Sequence, residues 1–575
     1  MKDTKFNQTD FFKIGFYISA IFLIWNMPNL GNNLMPRNFM GWFGIIVISS
    51  ILLIYTLIKG KLLLSNIFLL LAVPVIAVLL HGVIIEPSTS MDYYRWLIAG
   101  AIFGFSLFLI ALLQVKDSNF VWISFSNSLL IILCFQTLIS DVFPVFKFGL
   151  YLINFFPIEL RAANGGFQQA NLLASFVSSL ILWSWTLKIR HEVTDYKNWT
   201  FQFIVTFYLG FIIFQTGSRS ASLGLLIGVL LVSLFLYRKK ASLLFFLPVL
   251  ALLLALVFDY SGGIGASRKG DMISAVKAAV DFGGNTSIRL VMWEVAYLAG
   301  LESWPLGAGL GSFSTAFYDT YALKSISNDN WRFISSLAHP HNEFLMQWVE
   351  MGFYGLIFVV LPILFFIWKL IFSYSFSVLL ILSALMPIAI HTQTEMVLHA
   401  SGYHWLLVGL ILASLTHRNW LSSMSIFKSF FVLPLFFGLG ASWVTLSAAI
   451  ESKNAWVTEG FARSAKNLGV HLKRLTNGTE MHHWIHKTAV NDRIIKKMMA
   501  VALNSNNKQA VKKFLPRLID QNNRWQERES WILVAQAYLT LGNLHAYQAH
   551  MNKIKTFDPV FASSLEKQFN VKATN

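Results

Sequence analysis

Long apolar runs broken by short polar links fill most of the chain. An apolar run of roughly 18 residues reaches across a bilayer as a helix. Such runs occupy roughly 12–29, 39–58, 62–83, 96–114, 119–140, 167–187, 200–216, 221–237, 241–259, 351–372, 375–394, 402–416 and 427–449. They predict about thirteen membrane helices, the shortest at 402–416. Three stretches break the rhythm: 141–166, 261–350 and everything after 450. The chain therefore divides into nine helices within 1–260, a large polar loop at 261–350, four helices within 351–450, and a soluble helical domain at 451–575. In that domain Trp531, Val534, Ala535, Tyr538, Met551, Ile554 and Pro559 fall near the spacing of one tetratricopeptide repeat. Tyr547 stands where that repeat usually has a small residue, and a plain helical hairpin fits the spacing as well.

Composition agrees with the pattern. Hydrophobic residues make up 55% of the 575 and charged residues 13%, about half the usual charged share of a soluble domain. The positions of the cations set an orientation. Lys59, Lys61, Lys116, Lys188–Lys197 with Arg190, Arg238–Lys240, Lys369, Arg418 and Lys428 all fall in alternate connections, which the positive-inside rule assigns to the cytoplasm. The N-terminus is then cytoplasmic, and the three long polar stretches lie on the opposite face. The last of them carries 19 Lys and Arg against 9 Asp and Glu between residues 451 and 575. The net charge of +17 thus follows from topology and the tail, and calls for no nucleic acid. Cys134 is the only cysteine and sits in an apolar run, which excludes a disulfide or cysteine–zinc framework. Residues 1–10 are polar and no small-residue cleavage site follows the first run, so no cleavable signal is expected.

Ionisable groups beside membrane helices are costly and mark function. Arg161 precedes a helix that opens with Gln168, Gln169 and Asn171. Arg219 lies in T-G-S-R-S at 216–220, and Arg289 in S-I-R-L-V-M-W. Gly307, Gly309 and Gly311 form G-A-G-L-G, which no strand–helix unit surrounds and which more simply lets the chain turn tightly under a site. His339, His341, Asn342 and Glu343 form H-P-H-N-E, and His391, Glu395, His399 and His404 flank one more loop. All fall on or next to the non-cytoplasmic face. Three arginines at a lipid boundary suit phosphate oxygens, and a lipid-linked pyrophosphate is the natural ligand there. The histidines suit general-base work on a hydroxyl. His339 and His341 are spaced poorly for a helical metal pair, and no H-E-x-x-H occurs, so no metal is expected.

The run His341-Asn342, nine residues, Gly352, two residues, Gly355 matches the H-[NSQ]-x9-G-x-x-G pattern of the O-antigen ligase and polymerase superfamily, the Wzy C-terminal family. Leu356 departs from the Thr or Val common at the last position. F-Q-Q-A-N-L-L-A at 167–174 and H-x-x-x-E-x-x-L-H at 391–399 are similar to signatures of PglL-like protein O-oligosaccharyltransferases. Those enzymes often have Pro and an aromatic near Met396–His399, which this chain lacks. The resemblance implies an all-α polytopic membrane protein of the GT-C type with a helical, TPR-like tail. It implies an inner-membrane enzyme with its site on the periplasmic face. The donor would be an undecaprenyl-pyrophosphate-linked oligosaccharide, and the acceptor a Ser or Thr of an exported protein such as a type IV pilin. No nucleotide sugar, cofactor or metal would be needed. His341 would act on the acceptor hydroxyl. Arg219 and Arg289, with Arg161, would hold the pyrophosphate. Gln168, Gln169, Asn171, His339, Asn342, Glu343, His391, Glu395 and His399 would line the site.

The nearest rivals keep the chemistry and change the acceptor: ligation of O-antigen to lipid A-core, or its polymerisation. A lipid-linked glycan transporter is a different class, but the chain shows no internal repeat and no paired broken helices. A membrane-anchored scaffold built around the tail would leave the His/Arg cluster without a use. The tail itself is expected to present a groove to the protein acceptor and not to touch the lipid donor.

Overall fold

The computed structural model describes residues 39–59, 61–65, 81, 85, 104–105, 108–112, 119–138, 169–239, 245–260, 285–324, 333–335, 337, 339–372, 377–415, 421–425 and 487–573. Helices α1 (Phe39–Lys59), α2 (Asn119–Thr137), α3 (Ala170–Arg190), α4 (Tyr196–Gln215), α5 (Arg219–Lys239) and α6 (Phe246–Tyr260) come first. Two helices of the polar loop follow, α7 (Asn285–Glu302) and α8 (Phe313–Lys324). Then come α9 (Glu343–Phe372), α10 (Ser377–His391), the short α11 (Val397–Ala400) and α12 (Gly402–Leu415). The tail holds α13 (Lys487–Asn504), α14 (Lys508–Trp525), α15 (Arg528–Thr540), α16 (Leu544–Phe557) and α17 (Pro559–Ala573). The apolar runs at 12–29 and 427–449 lie outside the described residues, as do most of 62–83 and 96–114.

The run expected to open a helix at residue 62 instead begins as a strand. Lys61–Ser65 (β1) pairs antiparallel with Leu421–Ser425 (β2), Leu63 opposite Ser423. Three leucines between Lys61 and Ser65 satisfy a short strand as readily as a helix turn, and hydropathy alone cannot separate them.

Among the described residues, Ala170–Arg190 and Arg219–Tyr237 are long and apolar enough to cross a membrane. Gly44–Ile54, Val121–Thr137, Phe246–Asp259, Val378–His391 and Gly402–Ser414 are shorter apolar helices. Helix α3 is central: from Leu172 to Lys188 every residue is buried. Lys188 and Arg190 in its last turn match the negative end of the helix dipole. Helix α5 lies at the rim and exposes Leu223, Leu226, Leu230 and Leu234 along one stripe. Helix α6, packed on α4, exposes Leu250, Leu253, Leu254 and Val257. An uncovered apolar face of that extent suits lipid and not water. The other side of α5 meets α10 closely. A Cβ at Gly224 would fall 2.4 Å from Pro387 Cα, and one at Gly228 2.8 Å from the Ser383 carbonyl. Small residues at such crossings let two backbones approach.

The pairings fix directions. Ser175 meets His391 near one end of α3, and Ile189 packs with Leu379 and Leu380 near the other, so α3 and α10 are antiparallel. Ser175 also meets His404, and Trp183 donates to Ser414 Oγ at 2.8 Å, so α3 and α12 run the same way. Gln215 bonds Asp259 at matching ends of α4 and α6. These directions agree with strict alternation along the chain. One end of the helix set gathers Arg219, His391 and His404; the other gathers Lys188, Arg190, Lys239 and the β1–β2 ribbon with Lys61.

The tail is not a free arm. Trp531, Met551, Ile554, Phe557 and Phe569 share one apolar cluster with Met292, Phe313, Phe317, Tyr318, Met346 and Val349 from the loop and from the start of α9. The Phe333 and Trp531 rings pack at a tilt with centroids 4.9 Å apart. Arg528 pairs with Asp558 and lies 5.1 Å over the Phe561 ring. Within the tail, α15 and α16 form the helical pair whose buried faces carry Trp531, Val534, Ala535, Met551 and Ile554. Asn543 caps α16 by accepting from Ala546 N–H at 3.1 Å.

Candidate functional site

The H-P-H-N-E segment enters α9, and its polar residues are spent first on the helix start. The Leu345 N–H donates to Asn342 Oδ1 at 3.0 Å, an N-cap. Asn342 Nδ2 donates to the Gln393 carbonyl at 3.1 Å, and the Glu343 N–H to the Thr392 carbonyl at 2.9 Å. Glu343 Oε1 accepts from Leu398 N–H at 2.7 Å and His399 N–H at 3.1 Å, capping the open end of α11. Asn342 and Glu343 therefore stitch residues 339–345 to residues 391–400 and cap helix starts.

That stitching brings together two groups 54 residues apart. His341 Nδ1 lies 2.8 Å from Glu395 Oε2. Burial alone pushes the Glu395 carboxyl up, but the His341 hydrogen bond and the charges of His341, His339 and His391 outweigh it and hold the group below the ordinary carboxylate value. His341 has φ 49, in the left-handed region that costs a side-chain-bearing residue energy. Strain kept at such a position marks a constraint on where the side chain must point. The His341 N–H donates to His339 Nδ1 at 3.3 Å, and the two rings meet edge-on with centroids 4.4 Å apart. His339 is buried and supports the turn. His341 is half exposed, with Nε2 left on the side away from Glu395.

Helix α7 closes one wall. Trp293 Nε1 donates to the Pro340 carbonyl at 3.0 Å. Arg289 lies one turn earlier on the same face of α7 and is exposed. Its charge reaches His391 at the end of α10. Arg219 opens α5 and is also exposed. The register of Gly224 against Pro387 and Gly228 against Ser383, carried to the start of α5, sets Arg219 level with Thr392. Gln169 and Asn171 lie at the head of α3, just before Ser175. Arg161 and Gln168 lie outside the described residues. His399 sits on α11, and burial pushes its imidazole down to about 4, which keeps it neutral. Its backbone N–H is held by Glu343 Oε1.

The motif glycines have a steric cause. Gly352 takes φ 54 and ψ −127 and breaks α9 in two. A Cβ there would lie 2.3 Å from the Pro305 carbonyl oxygen, and one at Gly355 2.3 Å from the Gln347 carbonyl oxygen. The break leaves the carbonyls of Val349 and Glu350 without helical partners, and the G-A-G-L-G loop supplies them. Ala308 N–H donates to Val349 at 2.8 Å and Gly309 N–H to Glu350 at 3.0 Å. Gly307, Gly309 and Gly311 have φ 80, 99 and 80, as a tight turn requires. Glu350 is buried, and Phe313 N–H at the head of α8 donates to its side chain at 3.3 Å. The site thus rests on a helix end anchored by a loop.

Sequence reading missed Ser175. Its hydroxyl lies 2.7 Å from His391 Nδ1 and 3.0 Å from His404 Nε2, deep among α3, α10 and α12. A lone serine in an apolar helix gives no signal by itself. Among the described residues no three His, Cys, Asp or Glu are grouped to hold a metal ion.

Glu343 carries a pH dependence. Burial pushes its carboxyl up to about 7, and the Leu398 and His399 amides only partly offset this. A folded value above the unfolded one makes the folded state favour the protonated form. The stability linked to it is therefore full at low pH and is lost as pH rises through about 7. Glu343→Gln keeps an oxygen for both amides and removes the ionisation. The expected result is a melting temperature, relative to the unsubstituted protein, that rises from pH 5 to pH 8. Thermal unfolding of the detergent-solubilised proteins measures it, and parallel pH curves would refute the assignment.

No curated protein matches the chain. Residues 204–360 match the family model described as O-antigen ligase. The match spans about a quarter of the chain, from α4 to just past Gly355, and takes in Arg219, Arg289, His341 and both motif glycines. Over that stretch the protein is similar to O-antigen ligases, in agreement with the superfamily pattern at His341–Gly355.

Proposed function

We propose that this protein is an inner-membrane glycosyltransferase that moves an oligosaccharide en bloc from undecaprenyl pyrophosphate to Ser or Thr hydroxyls of exported proteins, pilins among them. The His341–Glu395 pair carries the reading. A carboxylate on Nδ1 fixes the imidazole so that Nε2 faces outward as a base, the arrangement a hydroxyl nucleophile needs. The acceptor oxygen attacks the anomeric carbon of the donor sugar. The bond from that carbon to the phosphate oxygen breaks, and its electron pair leaves on undecaprenyl pyrophosphate. The hydroxyl proton passes to His341 Nε2. Arg289 and Arg219 neutralise the departing pyrophosphate. Attack opposite the leaving group inverts the anomeric centre. The site faces the periplasm, where lipid-borne donor and translocated acceptor meet.

A second reading keeps every step and takes a sugar hydroxyl of lipid A-core as acceptor. The O-antigen ligase match favours it, since the matched stretch holds the same arginines and His341. The experiment offers purified protein an undecaprenyl-pyrophosphate glycan with either a pilin-type protein or lipid A-core, and reads products by mass spectrometry. Glycosylated protein is expected. Product on lipid A-core alone selects the second reading. Product on neither refutes both.

A further inference from the structure

The transfer scheme uses one face of α7, the one that carries Arg289 and Trp293. The next face round the helix is apolar and open. Tyr297 and Leu301 lie one turn apart on it, Trp304 follows in the turn that closes the helix, and all three are exposed. Leu306, two residues on, and Phe353 of α9 are exposed too. Trp304 meets the Phe353 ring edge-on with centroids 6.1 Å apart. Large apolar side chains gathered in one open patch mark contact with a partner or with lipid.

Lengths set the level of this patch. Helix α5 has 21 residues and is about 31 Å long, close to the roughly 30 Å hydrocarbon core of a bilayer. Its first residue, Arg219, is level with Thr392, whose carbonyl accepts from the Glu343 N–H at 2.9 Å. The start of α9 therefore lies at one boundary of the hydrocarbon. After its break at Gly352, α9 runs on to Phe372 for about 30 Å, enough to cross the core by itself. Its second half then begins at that same boundary, at Phe353. With Glu343 and Phe353 at one level, the first half of α9 lies along the boundary and not across it. Helix α7 keeps to it throughout. Trp293 Nε1 donates to the Pro340 carbonyl at 3.0 Å, Trp348 Nε1 to the Tyr297 carbonyl at 3.1 Å, and the Phe353 N–H to the Pro305 carbonyl at 2.8 Å. The two segments run side by side in the same direction, so α7 lies along the boundary as well. Its open stripe also continues the outer face of α9, where Phe353, Leu364 and Trp368 are exposed at helical spacing.

We infer that α7 is an interfacial helix, seated in the leaflet on the site side with Tyr297, Leu301, Trp304, Leu306 and Phe353 against lipid. Tryptophan and tyrosine favour that depth, because each has an apolar body and a polar tip. The charged residues of α7 fit the same placement. Glu294, exposed one turn before Tyr297, ends the apolar stripe. Glu302 turns to the other side, where it accepts from Thr320 Oγ1 at 2.7 Å and lies 3.6 Å from Lys324. Arg289, at the head of the helix, then sits at headgroup height. The inference goes beyond the transfer reading: it needs only that the helix set sits in a bilayer, and it holds for either acceptor.

The test places a nitroxide at single cysteines in full-length protein carrying Cys134→Ser, one copy per nanodisc of phosphatidylcholine and phosphatidylglycerol, with no polyprenyl lipid. Collision rates with oxygen, which concentrates in lipid, and with a water-soluble nickel chelate report the surroundings of each label. Tyr297→Cys, Leu301→Cys and Trp304→Cys should favour oxygen and read a depth about 5–10 Å below the headgroups. Leu253→Cys on α6 is the lipid reference, and Val560→Cys on the tail is the aqueous one. Labels at Leu301 and Trp304 that favour nickel as Val560 does overturn the inference. So does a lipid signature that appears only when two copies share a disc, which makes the face a contact between copies. A signature that appears only after a polyprenyl pyrophosphate is added overturns it as well, since the face is then a track for the donor's tail. The unsubstituted protein gives a second reading. Phosphatidylcholine with a diazirine near the headgroup end of its chain should photolabel the peptide that holds Leu301–Leu306. Labelling of that peptide no greater than that of the tail overturns the inference whatever the cysteine variants do.

Discussion

His341→Ala is expected to abolish glycan transfer while the protein still inserts and still binds the lipid-linked donor. A Ser or Thr hydroxyl is a poor nucleophile near neutral pH, and a positioned base contributes about 10²- to 10⁴-fold. The base must be fixed as well as present. Glu395 does this from 2.8 Å, and the left-handed backbone at residue 341 aims the ring. Glu395→Gln should cost less than His341→Ala, because the amide can still hold Nδ1 but no longer stabilises the imidazolium that forms. His339→Ala should be mild, since His339 supports the turn through the 341 N–H. His399→Ala should cost less than His341→Ala, because His399 is held neutral and its backbone N–H serves the Glu343 cap. Single-turnover transfer assays on the four variants, matched for membrane insertion, give the ranking. Normal transfer by His341→Ala with a dead His399→Ala would mean that the base has been misassigned. Activity in all four would leave only positioning and charge neutralisation as the source of rate.

Much of this was legible in the sequence, for a physical reason. Lipid admits few solutions to backbone hydrogen bonding, so long apolar runs become helices, and the helices in 39–58, 119–140 and 167–187 can be read directly. The H-P-H-N-E and H-x-x-x-E segments could also be read as belonging to one site. What could not be read was who pairs with whom. Asn342 and Glu343 looked like site groups because polar residues beside lipid usually are. In the fold they saturate helix ends, a need that any helix start creates. An Asn just before an apolar run is an N-cap signal, and weighing it would have given Asn342 its structural role. The break at Gly352 inside one continuous apolar run was invisible to hydropathy, since only φ and the close approach of Pro305 demand it. The meeting of Ser175 with His391 and His404 could not be found at all, because it exists only when three distant helices pack together.

The tail shows the same limit. Its helical spacing suggested a groove for acceptor peptides, working apart from the donor site. In the fold Trp531 and Phe557 share a cluster with Phe313, Phe317 and Tyr318, and that cluster reaches Met346 in the first half of α9, five residues from His341. Cutting the chain near residue 450 would strip apolar cover from the helices that carry Arg289 and His341. A truncation would therefore impair donor binding and acceptor choice together. Point changes on the exposed faces of α14 and α16 are the cleaner way to look for an acceptor surface.

Arg289→Lys should reduce transfer about 30- to 1,000-fold although the charge is kept. A guanidinium offers two parallel N–H groups to a phosphate, and an ammonium offers a point charge. Loss of one such contact where charge develops on the leaving group is worth roughly 2–4 kcal/mol. The fold ranks the two described arginines. Arg289 shares a helix face with Trp293, which bonds the Pro340 carbonyl next to His341, and its charge reaches His391. Arg219 is placed only by register, level with Thr392 at the end of the α5–α10 pair. Arg289 should therefore dominate the chemical step, and Arg219→Lys should show a smaller effect weighted toward donor KM. If the two arginines hold the same pyrophosphate, the double variant should fall short of the product of the single effects, because groups acting as a unit are not additive. Steady-state kinetics over donor concentration for the two single variants and the double variant separates these cases. Full activity in both Lys variants would mean that each arginine is only an interfacial anchor, with its charge in the headgroup region and no hand in the reaction.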